Sequence, residues 1–543
     1  MSEEQKKSDN RPRPTTEAFR AFVREGWAPR AEGLPERADV APYAAARREA
    51  VSAAYAGERL VIPSGGLKVR SNDCDYTFRP HSAFAHLTGF RADCEPDTVL
   101  VLHPRTDAEG GGHEAVVYLR PLAGRDTEEF FADARYGEFW VGARPSLEEI
   151  EAEFGLTARH IDELPDALAK DAGVTVLRVV RDADRDVAAT VDQVRAEAGV
   201  TGAALEAAHS NDEALAAYLS HLRMIKDEWE IDQMRAAIAA TKVGFEAVIA
   251  DLDGAVERGK GERWVEGLFG LHARHQGNGT GYDSICAAGD HANTLHWIKN
   301  TGEVRSGDMI LLDAGVEVDS LFTADITRTL PVDGTFTDAQ REIYDAVYAA
   351  QQAGIDAIKP GAKFSDIHAA AIRVIAERLH GWGLLPEGVS VEDTLDTETG
   401  PVSPPLDGPR HEPPPRASTS TTAPWRPVSN TWTPSSSPGM ILTVEPGLYF
   451  KADDELAPER FRGQRRADRG RRARHGDGLR QPLGEYAAHE PRRRSMDRPG
   501  PRPLICCLRG GPGRWCTWRC PEAPRSTAPS GRRTGRRRRR TNR

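Results

Sequence analysis

Three acidic residues, each next to an apolar run, constrain this sequence more than any other feature. Asp313 follows the run at 309–312, Asp325 follows the run at 321–323, and Glu445 follows the run at 440–442. Short apolar runs of this kind favour β-strands, so three strands could direct carboxylates to one point. Carboxylate oxygens are hard ligands that suit Mn²⁺, Mg²⁺ or Ca²⁺. The sequence therefore predicts a cation site built from strand ends.

Hydrolysis is the chemistry that such a site predicts. Two cations held roughly 3.5–4 Å apart can bind a shared water, lower its pKa and present hydroxide to a carbonyl. Each aspartate taken singly has another interpretation, because Asp beside Gly commonly caps the turn of a surface hairpin. The order of the motifs argues against it: Asp-Ala-Gly at 313–315, Asp-Ile-Thr-Arg-Thr at 325–329 on a return strand, and Val-Glu-Pro-Gly at 444–447.

With these motifs the chain resembles the pita-bread metallopeptidases, and among them aminopeptidase P and prolidase more than methionine aminopeptidase. In that family two aspartates, one histidine and two glutamates ligate two metal ions, usually Mn²⁺ in the proline-directed members. The resemblance implies that Asp313, Asp325 and Glu445 are three of these ligands. It also implies a substrate-side catalytic histidine, His296, in the segment Asn-Thr-Leu-His-Trp at 293–297. The alternative for His296 is a histidine satisfied within a strand.

The resemblance covers most of the first 463 residues. The helical period over 222–248 resembles the first helix of the family's catalytic domain, and the segment 72–90 resembles the signature of the aminopeptidase P amino-terminal domain. Apolar strands predicted at 98–102 and 115–119 alternate with helical stretches, which is typical of an α/β layer. The expected fold class is α/β (α+β), an amino-terminal α/β domain followed by a pita-bread catalytic domain.

Four regions follow from these assignments. We predict a polar amino-terminal extension at 1–40, the aminopeptidase P amino-terminal domain at 41–215, and the metallopeptidase domain at 216–463. An anomalous Pro/Ser/Thr-rich segment at 401–438 interrupts the metallopeptidase domain, and an arginine-rich tail occupies 464–543.

Charge and hydropathy exclude several function classes. The formal net charge of −10 argues against general affinity for nucleic acid. The amino terminus is polar, and no run of about 18 apolar residues is present to span a membrane. Cys74, Cys94 and Cys286 fall in different predicted elements, which is consistent with reduced thiols. We therefore expect a cytoplasmic enzyme that engages neither nucleic acid nor a membrane.

Two metal ligands are missing where the resemblance would place them. The family carries its histidine ligand and a second catalytic histidine in the interval that corresponds to 401–438, where this chain has only His411 beside the prolines at 413–415. The family's last glutamate ligand would follow Gly463, where the arginine-rich tail begins. One explanation is a disordered linker and a basic tail.

The explanation that we favour is a shift of reading frame in both places. Codons for 406–416, read one base later, permit Trp-Thr-Val-His-Gly-Thr-Ser-His-His-Leu-Gly. Codons for 467–475, read one base later, permit Arg-Ile-Glu-Asp-Asp-Val-Leu-Val-Thr. Both strings resemble the missing motifs. Long ordered matches in two separate places favour this explanation over chance.

A competing interpretation of the tail is a structural zinc site. Four thiolates can hold Zn²⁺, and the tail contains Cys506, Cys507, Cys516 and Cys520. Their spacing does not form the clean pairs of such sites, so the signal is weak. The closing arginine run at 536–540 is assigned no role.

The resemblance implies a Mn²⁺-dependent aminopeptidase that releases the residue preceding proline at the amino terminus of a peptide. Its partner is then a peptide substrate with proline at the second position, and a homo-oligomer is implied by the family. His296 would help to hold the tetrahedral intermediate. Two alternatives stay open. Prolidase differs by preferring dipeptides, and a non-catalytic pita-bread scaffold is expected if the two absent ligands are truly missing.

Overall fold

The structure is a computed structural model that describes residues 16–28, 30, 33–72, 74–106, 111–385, 387–395, 437–455 and 457–462, together with the backbone of 417–420. The described residues all belong to one compact unit of the chain. His411, most of the segment 401–438, the tail at 464–543 with its four cysteines, and part of the predicted extension at 1–40 lie outside them.

The amino-terminal half contains a five-stranded mixed sheet of order β6-β5-β4-β1-β7 and a small ribbon of β2 with β3. Its strands are β1 (Arg59–Pro63), β2 (Val69–Ser71), β3 (Cys74–Asp75), β4 (Val99–Pro104), β5 (His113–Leu119), β6 (Thr157–His160) and β7 (Leu177–Val179). β4 and β5 confirm the two strands predicted from apolar runs. The pairs β1–β4 and β4–β5 are antiparallel, while β1–β7 and β5–β6 are parallel.

Helices cover both faces of this sheet, because the central strands are apolar at successive positions. Alternate side chains point to opposite faces of a strand, and Leu60 and Ile62 pack into one core while Val61 packs into the other. The helices are α1 (Glu17–Arg24), α2 (Ala41–Ala54), α3 (Ser82–Thr88), α4 (Glu128–Ala132), α5 (Glu138–Val141), α6 (Leu147–Phe154), α7 (Leu164–Ala169), α8 (Arg185–Glu197) and α9 (Ala203–Leu222), with a 3₁₀ turn at Ile161–Glu163. The predicted domain boundary at 215/216 falls within α9.

The second half carries a three-stranded antiparallel sheet of order β12-β10-β9 and the short pairs β11–β8 and β13–β14. Its strands are β8 (Gly279–Thr280), β9 (Ile285–Ala288), β10 (Met309–Ala314), β11 (Val316–Glu317), β12 (Ile326–Pro331), β13 (Ala417–Ser420) and β14 (Glu445–Leu448). β12 is the predicted return strand, and it pairs along the whole of β10.

Helices of the second half begin at recognisable caps. Asp227 and Glu230 form a capping box at the start of α10, as Thr337 and Gln340 do at the start of α13. The helices are α10 (Glu228–Ala250), α11 (Leu252–Glu257), α12 (Gly261–Gln276), α13 (Asp338–Asp356), α14 (Phe364–Gly381) and α15 (Val391–Leu395), with a 3₁₀ turn at Gly289–Asn293. The helix expected over 222–248 is α10, which begins at Glu228, so residues 222–227 precede it.

Two of the three predicted strands that precede an acid are absent. β10 ends one residue after Asp313 as expected, but Asp325 immediately precedes β12 and Glu445 is the first residue of β14. Before Asp325 the chain turns, because Leu321 adopts a φ of 70° and its amide bonds to the carbonyl of Val318 at 2.8 Å. Before Glu445 the carbonyl of Gly439 accepts from the amide of Lys226 at 2.8 Å instead of joining a strand ladder.

The described helices and cysteines carry two further observations. Among the described residues, no helix combines the length and the apolar character needed to cross a bilayer. Cys74 is an exposed free thiol, and Cys94 and Cys286 are buried free thiols.

Candidate active site

Asp313 lies inside the sheet rather than on a turn. It is the fifth residue of β10, it is 5% exposed, and it is in register with Thr327 on β12. The Thr327 hydroxyl donates a short hydrogen bond to Asp313 Oδ2. This placement rules out the interpretation of Asp313 as the cap of a surface turn.

The Tyr282 hydroxyl joins the two aspartates. Tyr282 precedes β9, and its hydroxyl lies 2.9 Å from Oδ1 of Asp313 and 3.1 Å from Oδ1 of Asp325. Burial, followed by the charges of Asp313 and Asp325, raises the pKa of Tyr282 well above its ordinary value. The tyrosine therefore stays a neutral donor between two carboxylates.

A glycine lets Asp325 approach Asp313. A Cβ on Gly315 would lie 1.6 Å from the carbonyl oxygen of Ala324, so a side chain at 315 would separate the two strands where they leave the sheet. Gly315 therefore has a packing role next to both acids. The Asp-Ala-Gly motif combines a carboxylate with the close backbone contact that places its partner.

Glu445 begins β14, which pairs with β13 and not with β10 or β12. The strand lies against α13, where the buried side chain of Gln351 donates from Nε2 to the carbonyl of Val444 at 3.0 Å. The structure thus gives Glu445 a defined place but does not include it in the sheet that contains Asp313 and whose strand β12 begins one residue after Asp325.

His296 is exposed in a loop that follows the 3₁₀ turn at 289–293. The alternative of a histidine satisfied within a strand is therefore wrong. The amide of Ile298 bonds back to the carbonyl of His296 at 3.0 Å, which forms a turn at this point of the loop.

The donor chemistry of Asp313 and Asp325 fits a hard divalent cation, since both present carboxylate oxygens to one point. Within the part of the chain that the structure describes, however, no group of three His, Cys, Asp or Glu side chains is arranged to hold a metal ion. The structure therefore brings together two of the predicted ligands. The roles of Glu445 and His296 stay predictions from the sequence.

Sequence reasoning missed the two hydroxyl groups that hold Asp313. The sequence assigns no role to Tyr282 and includes Thr327 only within the motif at 325–329. Thr327 had a signal that could have found it, because it lies two residues after Asp325 on the return strand. Tyr282 had none, since 31 residues separate it from Asp313.

An arginine of the amino-terminal half reaches the connection between the acids. Arg79 donates from Nε to Oε2 of Glu317 at 2.7 Å and from Nη2 to the carbonyl of Leu321 at 3.2 Å. Glu317 ends β11, and Leu321 lies in the turn before Asp325. The segment that resembles the aminopeptidase P signature therefore supports the loop that carries Asp325.

Two family models match the chain. The model of metallopeptidase family M24 matches residues 232–478, and the model of the aminopeptidase P amino-terminal domain matches residues 43–177. Both paired aspartates fall within the first match, and Arg79 falls within the second.

Curated relatives match over most of their length. Xaa-Pro aminopeptidase 1 of Streptomyces coelicolor is 46% identical over 467 residues, which cover 81% of this chain and 84% of the relative. Xaa-Pro aminopeptidase 2 of the same organism is 45% identical over 476 residues, which cover 83% of this chain and 90% of the relative.

Solved structures share the fold. Escherichia coli aminopeptidase P in complex with substrate superposes with a TM-score of 0.62 at 24% identity, covering 79% of this chain and 91% of that chain. The expected amino-terminal α/β domain and pita-bread domain are thereby confirmed. On the family models and the curated relatives together, the chain belongs to metallopeptidase family M24 and carries an aminopeptidase P amino-terminal domain.

Proposed function

We propose that this chain is a metal-dependent aminopeptidase that releases the amino-terminal residue preceding a proline. The observation that carries the proposal is the convergence of Asp313 and Asp325 on the Tyr282 hydroxyl, in a chain whose relatives are named Xaa-Pro aminopeptidases. The substrate is then a peptide with proline at the second position.

Asp313, Asp325 and Glu445 would hold the metal, for which we propose Mn²⁺ with two ions per site. A divalent ion bound there would polarise the scissile carbonyl and activate water. Tyr282 and Thr327 fix the orientation of the Asp313 carboxylate through their hydroxyl groups. His296 would donate a hydrogen bond to the oxyanion of the tetrahedral intermediate, and its exposure leaves it open to substrate.

The remaining parts of the proposal rest on the sequence and the resemblance. We propose the domain division at 41–215 and 216–463, a cytoplasmic location and a homo-oligomer. Sedimentation velocity tests the last point, and a single species at the mass of the 59.4 kDa chain would contradict it.

The activity is tested with a panel of three peptides: a dipeptide with proline second, a longer peptide with proline second, and the same longer peptide with alanine second. After chelation, each divalent metal is restored separately. We expect cleavage of the longer proline peptide, its loss on chelation and its best recovery with Mn²⁺. Preference for the dipeptide would instead indicate a prolidase.

A non-catalytic scaffold is the second candidate, and it is favoured by the absence of a three-residue metal group among the described residues. Sequencing the gene across codons 395–480 discriminates between the candidates. A corrected frame that encodes the missing histidine and glutamate motifs supports the enzyme. Confirmation of the chain as it stands supports a scaffold that binds manganese poorly and cleaves nothing.

A further inference from the structure

A fully buried glutamate outside the pair of aspartates carries a further inference. Glu262 lies in the first turn of α12, and its side chain is 0% exposed. Its Oε1 lies 2.9 Å from the amide of Ala288 and 2.8 Å from Nδ1 of His291. Its Oε2 lies 2.9 Å from Nε1 of Trp297 and 2.5 Å from the amide of Gly302.

These contacts identify the chemical form of the side chain. The backbone amides of Ala288 and Gly302 and the indole of Trp297 can only donate. Both oxygens of Glu262 therefore accept hydrogen bonds, and an ionised carboxylate offers them the most acceptor sites. Nδ1 of His291 then carries a hydrogen and donates as well. A buried carboxylate is costly unless it is satisfied in this way.

All four donors belong to one stretch of chain. We define the histidine segment as residues 288–302, which begins at the end of β9 and contains His296. Glu262 bonds the segment at its first residue, at two residues within it and at its last residue. The rings of His291 and Trp297 stack at 3.9 Å between centroids, so the two internal contacts also support each other.

The last residue of the segment fits closely against both Glu262 and His291. A Cβ on Gly302 would lie 2.6 Å from Glu262 Oε1 and 2.6 Å from His291 Nδ1. The amide of Glu262 also donates to the carbonyl of Gly302 at 3.2 Å. Each of these two residues therefore donates a hydrogen bond to the other. A side chain at 302 would therefore displace the Glu262 carboxylate or the His291 ring.

The other side of the histidine segment contacts the chain that follows Glu445. Oδ1 of Asn293 accepts from the amide of Phe450 at 2.9 Å, and Oδ1 of Asp290 accepts from the amide of Ala452 at 2.8 Å. The segment thus connects Glu262 on one side to the continuation of β14 on the other.

We propose that Glu262 is a positioning residue whose buried carboxylate fixes the histidine segment, and through it the location of His296. The catalytic consequence rests on the proposed function, whereas the structural role does not. Glu262→Gln keeps the shape of the side chain but turns an amide NH₂ toward one pair of donors. The NH₂ group cannot accept, so the segment loses the hydrogen bonds at that position. It keeps only those to the remaining side-chain oxygen.

Hydrogen exchange followed by mass spectrometry tests the structural role on the full chain without requiring activity. Losing hydrogen bonds to a buried carboxylate costs enough that peptides covering 288–302 are expected to exchange at least about tenfold faster in Glu262→Gln than in the wild type. Glu266→Gln is the matched control, because Glu266 lies one turn further along α12 and the four donors bond to Glu262 instead. Equal exchange in Glu262→Gln and the wild type would overturn the proposal.

A second variant covers the case in which Glu262→Gln does not fold. Trp297→Phe removes one indole donor and keeps an aromatic ring beside His291. Exchange is then expected to rise within 288–302 and to stay unchanged in the amino-terminal sheet. No rise within the segment would again contradict the proposal.

Kinetics on a peptide with proline second test the catalytic consequence. Displacement of a positioned group by about 1 Å can cost 10²-fold, so kcat of Glu262→Gln is expected to fall about 10–100-fold with little change in KM. His296→Ala should add little further loss in the Glu262→Gln background. A lower Tm with unchanged kcat and unchanged exchange would show a merely structural residue. A wild type without turnover would contradict the proposed function, while the exchange experiment would still decide the role of Glu262.

Discussion

The hydroxyl of Tyr282 lies 2.9 Å from Oδ1 of Asp313, at a point that Asp325 also contacts. One neutral donor thus separates two carboxylates that would otherwise repel each other. Tyr282→Phe removes this donor, and the free energy of unfolding is expected to fall by about 1.5–3 kcal/mol, the usual contribution of a hydrogen bond to a charged group.

Urea denaturation of the metal-free protein measures this change. Tyr348→Phe is a suitable control, because Tyr348 is half-buried on α13 and its hydroxyl is not among the groups that bond to Asp313 or Asp325 in the described residues. Equal losses for the two variants would contradict a specific role for the Tyr282 hydroxyl.

Gly315→Ala tests the close approach of the two strands. The added Cβ would lie 1.6 Å from the carbonyl oxygen of Ala324, so the backbone must move. We expect a loss of about 3 kcal/mol in the free energy of unfolding, since overpacking against rigid backbone lies at the upper end of such costs. Gly267→Ala on α12 meets nothing within 4 Å and should instead stabilise by about 0.5–1 kcal/mol. Changes in the free energy of unfolding that have the same sign in the two variants would refute this account.

Arg79→Ala tests the support that the amino-terminal half gives to the loop before Asp325. The variant loses the ion pair with Glu317 and the hydrogen bond to the carbonyl of Leu321. Because the arginine is 45% exposed, the stability change should stay within about 1 kcal/mol. Protease cleavage in the turn at 318–321 should rise at least about threefold, while the exposed Arg70→Ala control should leave it unchanged. Unchanged cleavage in Arg79→Ala would show that the contact does not hold the loop.

The stability of the amino-terminal half should depend on pH through His103. Its Nδ1 lies 3.2 Å from Arg59 Nε, and its Nε2 lies 3.0 Å from the Tyr118 hydroxyl. Burial, followed by the charge of Arg59, lowers the pKa of His103 to about 4. The unfolded chain binds the proton near a pKa of about 6.5, so the unfolded state takes up more protons as the pH falls from that value. The free energy of unfolding therefore decreases in this window.

The comparison of wild type with His103→Gln isolates this effect. Between pH 7 and pH 5 the wild type should lose on the order of 1 kcal/mol more than the variant, after allowance for solvent screening of a partly exposed group. Exposed His275→Gln should follow the wild type. Parallel pH profiles for wild type and His103→Gln would contradict the assignment.

The sequence predicted the paired acids of the sheet, because apolar runs and the motif order depend on local residues. It predicted the return strand correctly, since Thr327 pairs with Asp313 as that order requires. It failed for the strands before Asp325 and Glu445. Leu321 in the first run adopts a positive φ, and Gly439, just before the second run, accepts a bond from Lys226, which is distant in sequence.

Long-range contacts explain the rest of what the sequence could not predict. Tyr282 lies beside Asp313 because β9, which follows Tyr282, pairs with β10. Arg79 reaches Glu317 across 238 residues, and no periodicity encodes such a contact. Glu262 looks in the sequence like an ordinary first-turn helix residue, and its burial depends on the return of a segment that ends 40 residues later.

The most direct test of the central claim is release of the first residue from a peptide with proline second, by protein expressed from the native gene. Mass spectrometry of the products, with and without chelator, gives the rate. We expect release of the residue preceding proline, loss of release on chelation, and at least about a 10²-fold lower rate in Asp313→Asn. Folded protein that releases nothing in the presence of divalent metal, or that cleaves equally well in Asp313→Asn, would contradict the account.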